Sequence, residues 1–358
     1  MNDTSAGRIT SIDLFRIWGI IAVVAIHTVP FTSLQNLGGG FTAVVGVLDL
    51  LLRFAVPFFF ITSGYFFGKS ILRGEGPLHV LLRYIRPLAV MFFAWSLIYA
   101  FVVDWVQVGW TTGVLGTVYA HFLTTMRQVL HHPLRFLLYG TMPHLWFLPA
   151  LMLSLTLITA CVLSRTERLV VPTGLALYIL GLSGGAYRYT SLGLHTPASA
   201  VGPLLFAFIF VAAGFHLAFF KKVSVKFALV LVLAGYTLLV IEATLLWDLF
   251  RIGVSKASNH YLFGELPYGV GVFLLARTTR SFGPERWVRF LASLSPGIYL
   301  AHLLFALPMR SLTPILLWPL SVAVVYGLSA ALVVCLSYYA PTRPLVHTRH
   351  SPKTALAR

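Results

Sequence analysis

Three residues near the start of the chain have the types and spacing to do chemistry together. Asp13, Arg16 and His27 are separated by three and by eleven positions. Eleven residues at 3.6 per turn make almost three whole turns, so a helix would set Arg16 and His27 on one face, about 16 Å apart along its axis. A neutral imidazole can take a proton near pH 7. A guanidinium grips phosphate or carboxylate with a planar fork. Such a stripe suits group transfer, with a base for a hydroxyl at one end and an anion holder at the other. Each residue alone has a plain reading: His27 bonded to a neighbouring carbonyl, Arg16 anchored at a surface. The plain readings do not explain the shared face.

Other polar residues interrupt apolar runs further on. Asp49 and Arg53 form an i,i+4 pair. Arg83 and Arg86 stand at i,i+3 before Pro87, a good spacing for a phosphate clamp. His144 and Trp146 open one run, and Glu265 follows Tyr261-Leu262-Phe263-Gly264 at the head of another. Glu242, Tyr299 and His302 lie inside two more. Charged groups at membrane depth are costly and usually face the bundle interior with a function. His27, Asp49, Arg53, Glu242, Glu265 and His302 fall at similar depth, so a polar cavity is expected there, with arginines beneath it. Ser63-Gly64 reads as a packing site, Gly64 allowing close helix approach.

The elements that must position these residues follow from composition. Of 358 residues, 58% are hydrophobic and only 10% charged. A soluble domain carries about a quarter charged residues, so lipid must be the solvent for much of this chain. The net charge of +16 sits in short clusters between apolar runs, which favours basic membrane loops over nucleic-acid binding. A spanning helix needs about 20 apolar residues. Ten segments are expected to serve: 14–31, 44–68, 83–106, 145–164, 168–185, 200–220, 226–247, 261–276, 288–308 and 315–339. Most Lys and Arg fall on one side if the N-terminus is inside. The expectation is an all-α integral membrane bundle of about ten transmembrane helices with both termini cytoplasmic. Residues 1–340 form one domain, and 341–358 a basic tail expected to be disordered. The first apolar run reads as a retained helix. The longest connection, 107–143, carries Trp110, Tyr119, His121, His131, His132 and Tyr139. Cys161 and Cys335 read as buried small side chains, with no disulfide or metal site expected.

Four motifs then carry a resemblance along nearly the whole chain. They are Ser11-Ile12-Asp13-Leu14-Phe15-Arg16 with His27, an Arg-x10-His pattern; Val56-Pro57-Phe58-Phe59-Phe60 through Ser63-Gly64-Tyr65; His144-Leu145-Trp146-Phe147; and Ser295-Pro296-Gly297-Ile298-Tyr299 with His302. Arg83 and Arg86 add an Arg-x-x-Arg element. The chain resembles the acyltransferase-3 family of integral-membrane O-acyltransferases. In form it is most similar to the branch that includes the enterobacterial common antigen O-acetyltransferase. The resemblance implies an enzyme of the bacterial inner membrane, multi-pass, taking acetyl from cytoplasmic acetyl-CoA, with no metal. It implies a hydroxyl acceptor on a lipid-linked or exported glycan.

The expected roles follow. His27 is the base or a transient acyl carrier, with Asp49 or Glu242 orienting its ring. Arg16, Arg83 and Arg86 hold the phosphates of CoA. Arg53, His144, Trp146, Glu265, Tyr299 and His302 serve the oxyanion or the acceptor. A transporter or flippase for a glycan or small acid would use the same intramembrane charges. The lack of repeat symmetry between the halves counts against it.

Overall fold

A computed structural model describes residues 10–29, 39–103, 113–188, 190–194, 202–220, 223–250, 261–280, 283–312, 314 and 317–347. Among the described residues the regular elements are α-helices joined by short 3-10 turns. They are α1 (Thr10–Thr28), α2 (Gly39–Leu52), α3 (Ala55–Leu72), α4 (Pro77–Tyr99), α5 (Val114–His131), α6 (Pro133–Tyr139), α7 (Phe147–Leu163), α8 (Val170–Gly184), α9 (Gly202–Leu217), α10 (Val225–Phe250), α11 (Glu265–Thr278), α12 (Glu285–Leu312) and α13 (Trp318–Tyr338).

Seven helical segments are long and apolar enough to cross a membrane: Thr10–Thr28, Gly46–Leu72, Pro77–Tyr99, Pro143–Leu163, Val225–Leu246, Glu285–Arg310 and Trp318–Tyr338. Three other expected spans fold as shorter helices, α8, α9 and α11, of 15, 16 and 14 residues. At 1.5 Å per residue these reach about 21–24 Å, short of a hydrocarbon core of about 30 Å. The expected connection 107–143 holds two helices, α5 and α6. Its Trp110 lies outside the described residues.

The expected second span crosses within Gly46–Leu72 but is interrupted in its helical bonding. It breaks at Arg53–Phe54, between α2 and α3. The cause is Pro57, four residues beyond Arg53. It has no N–H to give the Arg53 carbonyl, and its ring crowds that carbonyl. Regular bonding resumes with Phe58 N to Phe54 O at 2.9 Å. Arg53, at the break, reaches Glu265 across the bundle.

Close packing on α3 depends on glycine. A methyl group placed on Gly64 would fall on the Val211 carbonyl of α9, and one placed on Gly214 of α9 would fall on the Ile61 carbonyl of α3. The two glycines thus let two backbones touch. Ser63 makes no bond across that contact; its hydroxyl donates to Phe59 O at 2.8 Å within the helix. At the far end of α3, Gly74 takes φ 81°, the left-handed turn that ends a helix.

α1 and α12 pack side by side and run parallel. Thr10 Oγ1 donates to Glu285 Oε1 at 2.9 Å near their starts. His27 meets His302 toward their other ends. The bundle therefore has an end rich in arginine and an end rich in histidine. At the arginine end, Arg277 donates to the Leu217 carbonyl at 3.0 Å and to the Phe220 carbonyl, closing the C-terminus of α9. Its guanidinium carbon also lies 5.5 Å from the centre of the Tyr65 ring.

Two expectations change here. The tail does not leave the bundle at Pro341. Trp95 Nε1 donates to Leu345 O at 2.8 Å, Arg343 Nε donates to Ser337 O at 2.8 Å, and Val346 is fully buried. Residues 348–358 lie outside the described residues. Cys335 is exposed and Cys161 only partly covered. An apolar run in a membrane bundle has a face that needs no protein cover, so hydrophobicity did not imply burial.

Candidate active site

His27 Nδ1 lies 2.8 Å from the Val23 carbonyl oxygen, one turn back along α1. A carbonyl can only accept, so Nδ1 carries the hydrogen and Nε2 keeps its lone pair. Asp49 and Glu242 were the expected orienting groups. The Val23 carbonyl does that work instead, because it already lies within reach on the same helix. Asp49 stays within electrostatic range of His27, as does Arg310.

Three more expected residues gather around this ring. The His302 ring centre lies 4.8 Å from that of His27, edge to face, and the His144 ring centre 5.3 Å from that of His302. Tyr299 lies 5.7 Å from His144 and 6.0 Å from His302 by the same measure. Backbone carbonyls fix both imidazoles. His302 Nδ1 bonds Tyr299 O at 2.6 Å, and His144 Nε2 bonds Leu300 O at 3.3 Å. The Tyr299 hydroxyl donates to the His144 carbonyl. Pro296 removes one helical donor within α12, and the carbonyls that hold the histidines follow in the next turn.

A second cluster centres on Arg53. Its Nε donates to Asp49 Oδ2 at 3.1 Å and its Nη1 to Glu265 Oε1 at 3.4 Å. All three side chains are largely buried. One guanidinium thus bridges two carboxylates from α2 and α11. Glu242 belongs to neither cluster. Its carboxylate accepts from the Phe263 N–H at 2.9 Å, the Gly264 N–H at 2.7 Å and the Tyr187 hydroxyl. It closes the backbone entering α11, where the helix dipole favours an anion.

An aromatic wall runs beside the histidines. Phe147 stands 5.4 Å from Tyr299 and stacks on Phe60 at 4.3 Å. Trp146 follows, 5.7 Å from Phe60 and 5.9 Å from Tyr261. Trp146 is therefore a wall residue rather than an interfacial one.

The expected phosphate holders lie at the arginine end. Arg16 pairs with Asp13 at 3.0 Å. Arg83 pairs with Glu75 and donates to Ser70 Oγ at 3.0 Å, while Arg86 is exposed. Arg73 donates to the same Glu75 carboxylate and to Ser70 Oγ, each at 3.0 Å. The Arg83 guanidinium, helped by Arg73, holds the Glu75 carboxyl down at about 2 although partial desolvation pushes the other way. A double-arginine clamp was expected; one of its members is already engaged by a carboxylate.

Three contributors escaped the sequence reading. Glu75 sits in Gly74-Glu75-Gly76-Pro77, which reads only as a turn. Tyr99 donates to Leu300 O at 2.7 Å, and its ring centre lies 5.0 Å from His144. Tyr187 binds Glu242. Neither tyrosine has a spacing signal, because its partner comes from a distant helix.

The site and the fold define a bundle of apolar helices with a buried histidine cluster at one end. The sequence model described as an acyltransferase domain, of the acyltransferase-3 family, matches residues 9–340, and the chain belongs to that family. Seven of its described helical segments are long and apolar enough to cross a membrane, as expected of a multi-pass membrane protein. Among curated proteins it is similar to an amino-acid racemase of Enterococcus faecalis, 31% identical over 50% of this chain and 23% of that protein. It is also similar to a serine/alanine racemase of Enterococcus gallinarum, 26% identical over 81% of this chain and 40% of that protein. The chain thus spans less than half the length of these curated relatives. No solved structure matches it significantly.

Proposed function

We propose that this protein moves an acyl group, acetyl in the first instance, from acyl-CoA to a hydroxyl of a cell-surface or lipid-linked glycan. The observation that carries the reading is His27. Its Nδ1–H is spent on a backbone carbonyl, which leaves Nε2 its lone pair, and its ring stands edge to face with the buried His302 ring at the far end from the arginines. In the proposed step, His27 Nε2 takes the hydroxyl proton. The oxygen attacks the thioester carbonyl carbon, the C–O bond forms and the C–S bond breaks. The imidazolium then returns its proton to the departing thiolate sulfur. Arg53, the buried guanidinium between Asp49 and Glu265, is the cationic candidate for the developing oxyanion.

Arg83 and Arg86, with Arg16, are the proposed holders of the CoA phosphates. The donor set fits, because Glu75 already presents a carboxylate to Arg83 and Arg73 as a stand-in for phosphate oxygens. The arginine end then faces the cytoplasm of a bacterial inner membrane; with the short helices α8, α9 and α11 crossing together with their flanking residues, the chain crosses about ten times and both termini lie inside.

The test is transfer of labelled acetyl from acetyl-CoA in membranes carrying the wild type or H27A. Loss of transfer with normal expression is expected in the variant. Wild-type-like transfer by H27A, or glycan movement without acetyl-CoA consumption, would overturn the reading.

A further inference from the structure

The histidine cluster has an imbalance that acyl transfer to a single hydroxyl does not use. His302 and His144 are 0% and 3% exposed. Each spends its one N–H on a backbone carbonyl, Tyr299 for His302 and Leu300 for His144. The other nitrogen of each, Nε2 of His302 and Nδ1 of His144, is buried without a hydrogen-bond partner. By the tautomer rule both are bare acceptors. His27 cannot serve them, because its neutral ring also spends its hydrogen on a carbonyl. The Tyr299 hydroxyl is committed to the His144 carbonyl, and that of Tyr99 to Leu300 O.

Leaving two acceptors unsatisfied inside a membrane bundle is costly. The group that completes them must bring hydrogen donors. Among the described residues no group of His, Cys, Asp or Glu side chains could hold a metal ion. A thioester carbonyl is itself an acceptor and cannot help. A molecule with several O–H groups would bring such donors, one presented to His27 and its neighbours to His302 and His144. Ring centres 4.8 and 5.3 Å apart match hydroxyls on adjacent carbons better than on distant ones.

We propose that His302 and His144 form a subsite for a second hydroxyl, so that the acceptor is a vicinal diol, acylated at the oxygen facing His27. This inference rests on the acyl-transfer reading and adds the substrate geometry to it.

The experiment uses the full chain purified in detergent, labelled acetyl-CoA, and two probes: methyl mannopyranoside and its analogue lacking one hydroxyl of the 2,3-diol. Transfer and thermal stabilisation by each probe are both measured. Transfer to the diol is expected to exceed transfer to the deoxy probe about tenfold or more. In H302F and H144F that ratio should fall toward one. Equal transfer to both probes by the wild type, or an unchanged ratio in both variants, overturns the subsite and spares the transfer reading. Absent transfer with diol-selective stabilisation keeps the subsite and overturns transfer. Absent transfer with no selectivity overturns both.

Discussion

His27 and His302 are 275 positions apart, the same offset that separates Thr10 from Glu285, which bond at the other end of the same helix pair. The two contacts are seventeen positions apart on each helix, a rise of about 26 Å. α1 and α12 therefore keep one register along their shared length, and that register sets the two imidazoles edge to face. Replacing His27 by Ala removes the proposed base and should lower kcat for acetyl transfer by at least 100-fold, with expression and detergent melting temperature near wild type. A variant that keeps a tenth of the activity argues against the base assignment.

Glu75 should act as a competitor for the arginines that bind the donor. E75Q is expected to lower the KM for acetyl-CoA several-fold, whereas R83A should raise it. The KM values from initial rates at varied acetyl-CoA decide the matter, and an unchanged KM in both variants rejects the clamp. The pH dependence has a definite sign. The Glu75 carboxyl titrates at about 2 in the fold against an ordinary value of 4.5. Its contribution to stability is thus complete above pH 4.5 and is lost as the pH falls from 4.5 toward 2. Acid unfolding of E75Q should lack that component.

Arg53 holds two largely buried carboxylates. R53A leaves Asp49 and Glu265 facing each other's charge without a cation, which should cost about 3–5 kcal/mol. R53K should recover only part of this, because an ammonium lacks the planar fork that reaches both. Chemical unfolding in detergent measures both, and wild-type stability of R53A would remove the bridge from the list of supports.

Glu242 should behave as a structural residue. E242Q replaces an acceptor pair by one acceptor and one donor against two backbone N–H groups. A stability loss of about 1–3 kcal/mol is expected, with turnover per folded molecule within a few-fold of wild type. A hundredfold fall in turnover at unchanged stability would restore it to the catalytic set.

G64L tests the backbone contact between α3 and α9. Its side chain would fall on the Val211 carbonyl, and overpacking of this kind costs roughly 1–3 kcal/mol or more. Yield of folded protein on size-exclusion chromatography reports it.

Most helices were legible from hydrophobic runs, because burial in lipid leaves an almost continuous apolar signal. The shared face of Arg16 and His27 was legible from helical spacing alone. Partners were not. Nothing in the sequence around Asp49 shows that Arg53 turns to Glu265, because that partner comes from a distant helix, α11. The role of Glu242 was hidden for a similar reason: its acceptors' partners are backbone amides 21 and 22 residues away, and amides carry no sequence signature. Shared depth suggested one polar cavity; packing divided it into a histidine cluster, an arginine bridge and a helix cap.

The pairing of first and twelfth helices also governs when the site comes into being. His27 leaves the ribosome before His302, which follows 275 residues later. At ordinary rates of about 5–20 residues per second, the ribosome needs tens of seconds to supply the second imidazole. Through that interval a partly inserted chain holds its base without the ring that faces it. A chain arrested before α12 carries His27, Arg53 and the arginine end, yet cannot assemble the pocket. Synthesis of α12 is thus itself the event that arms the site.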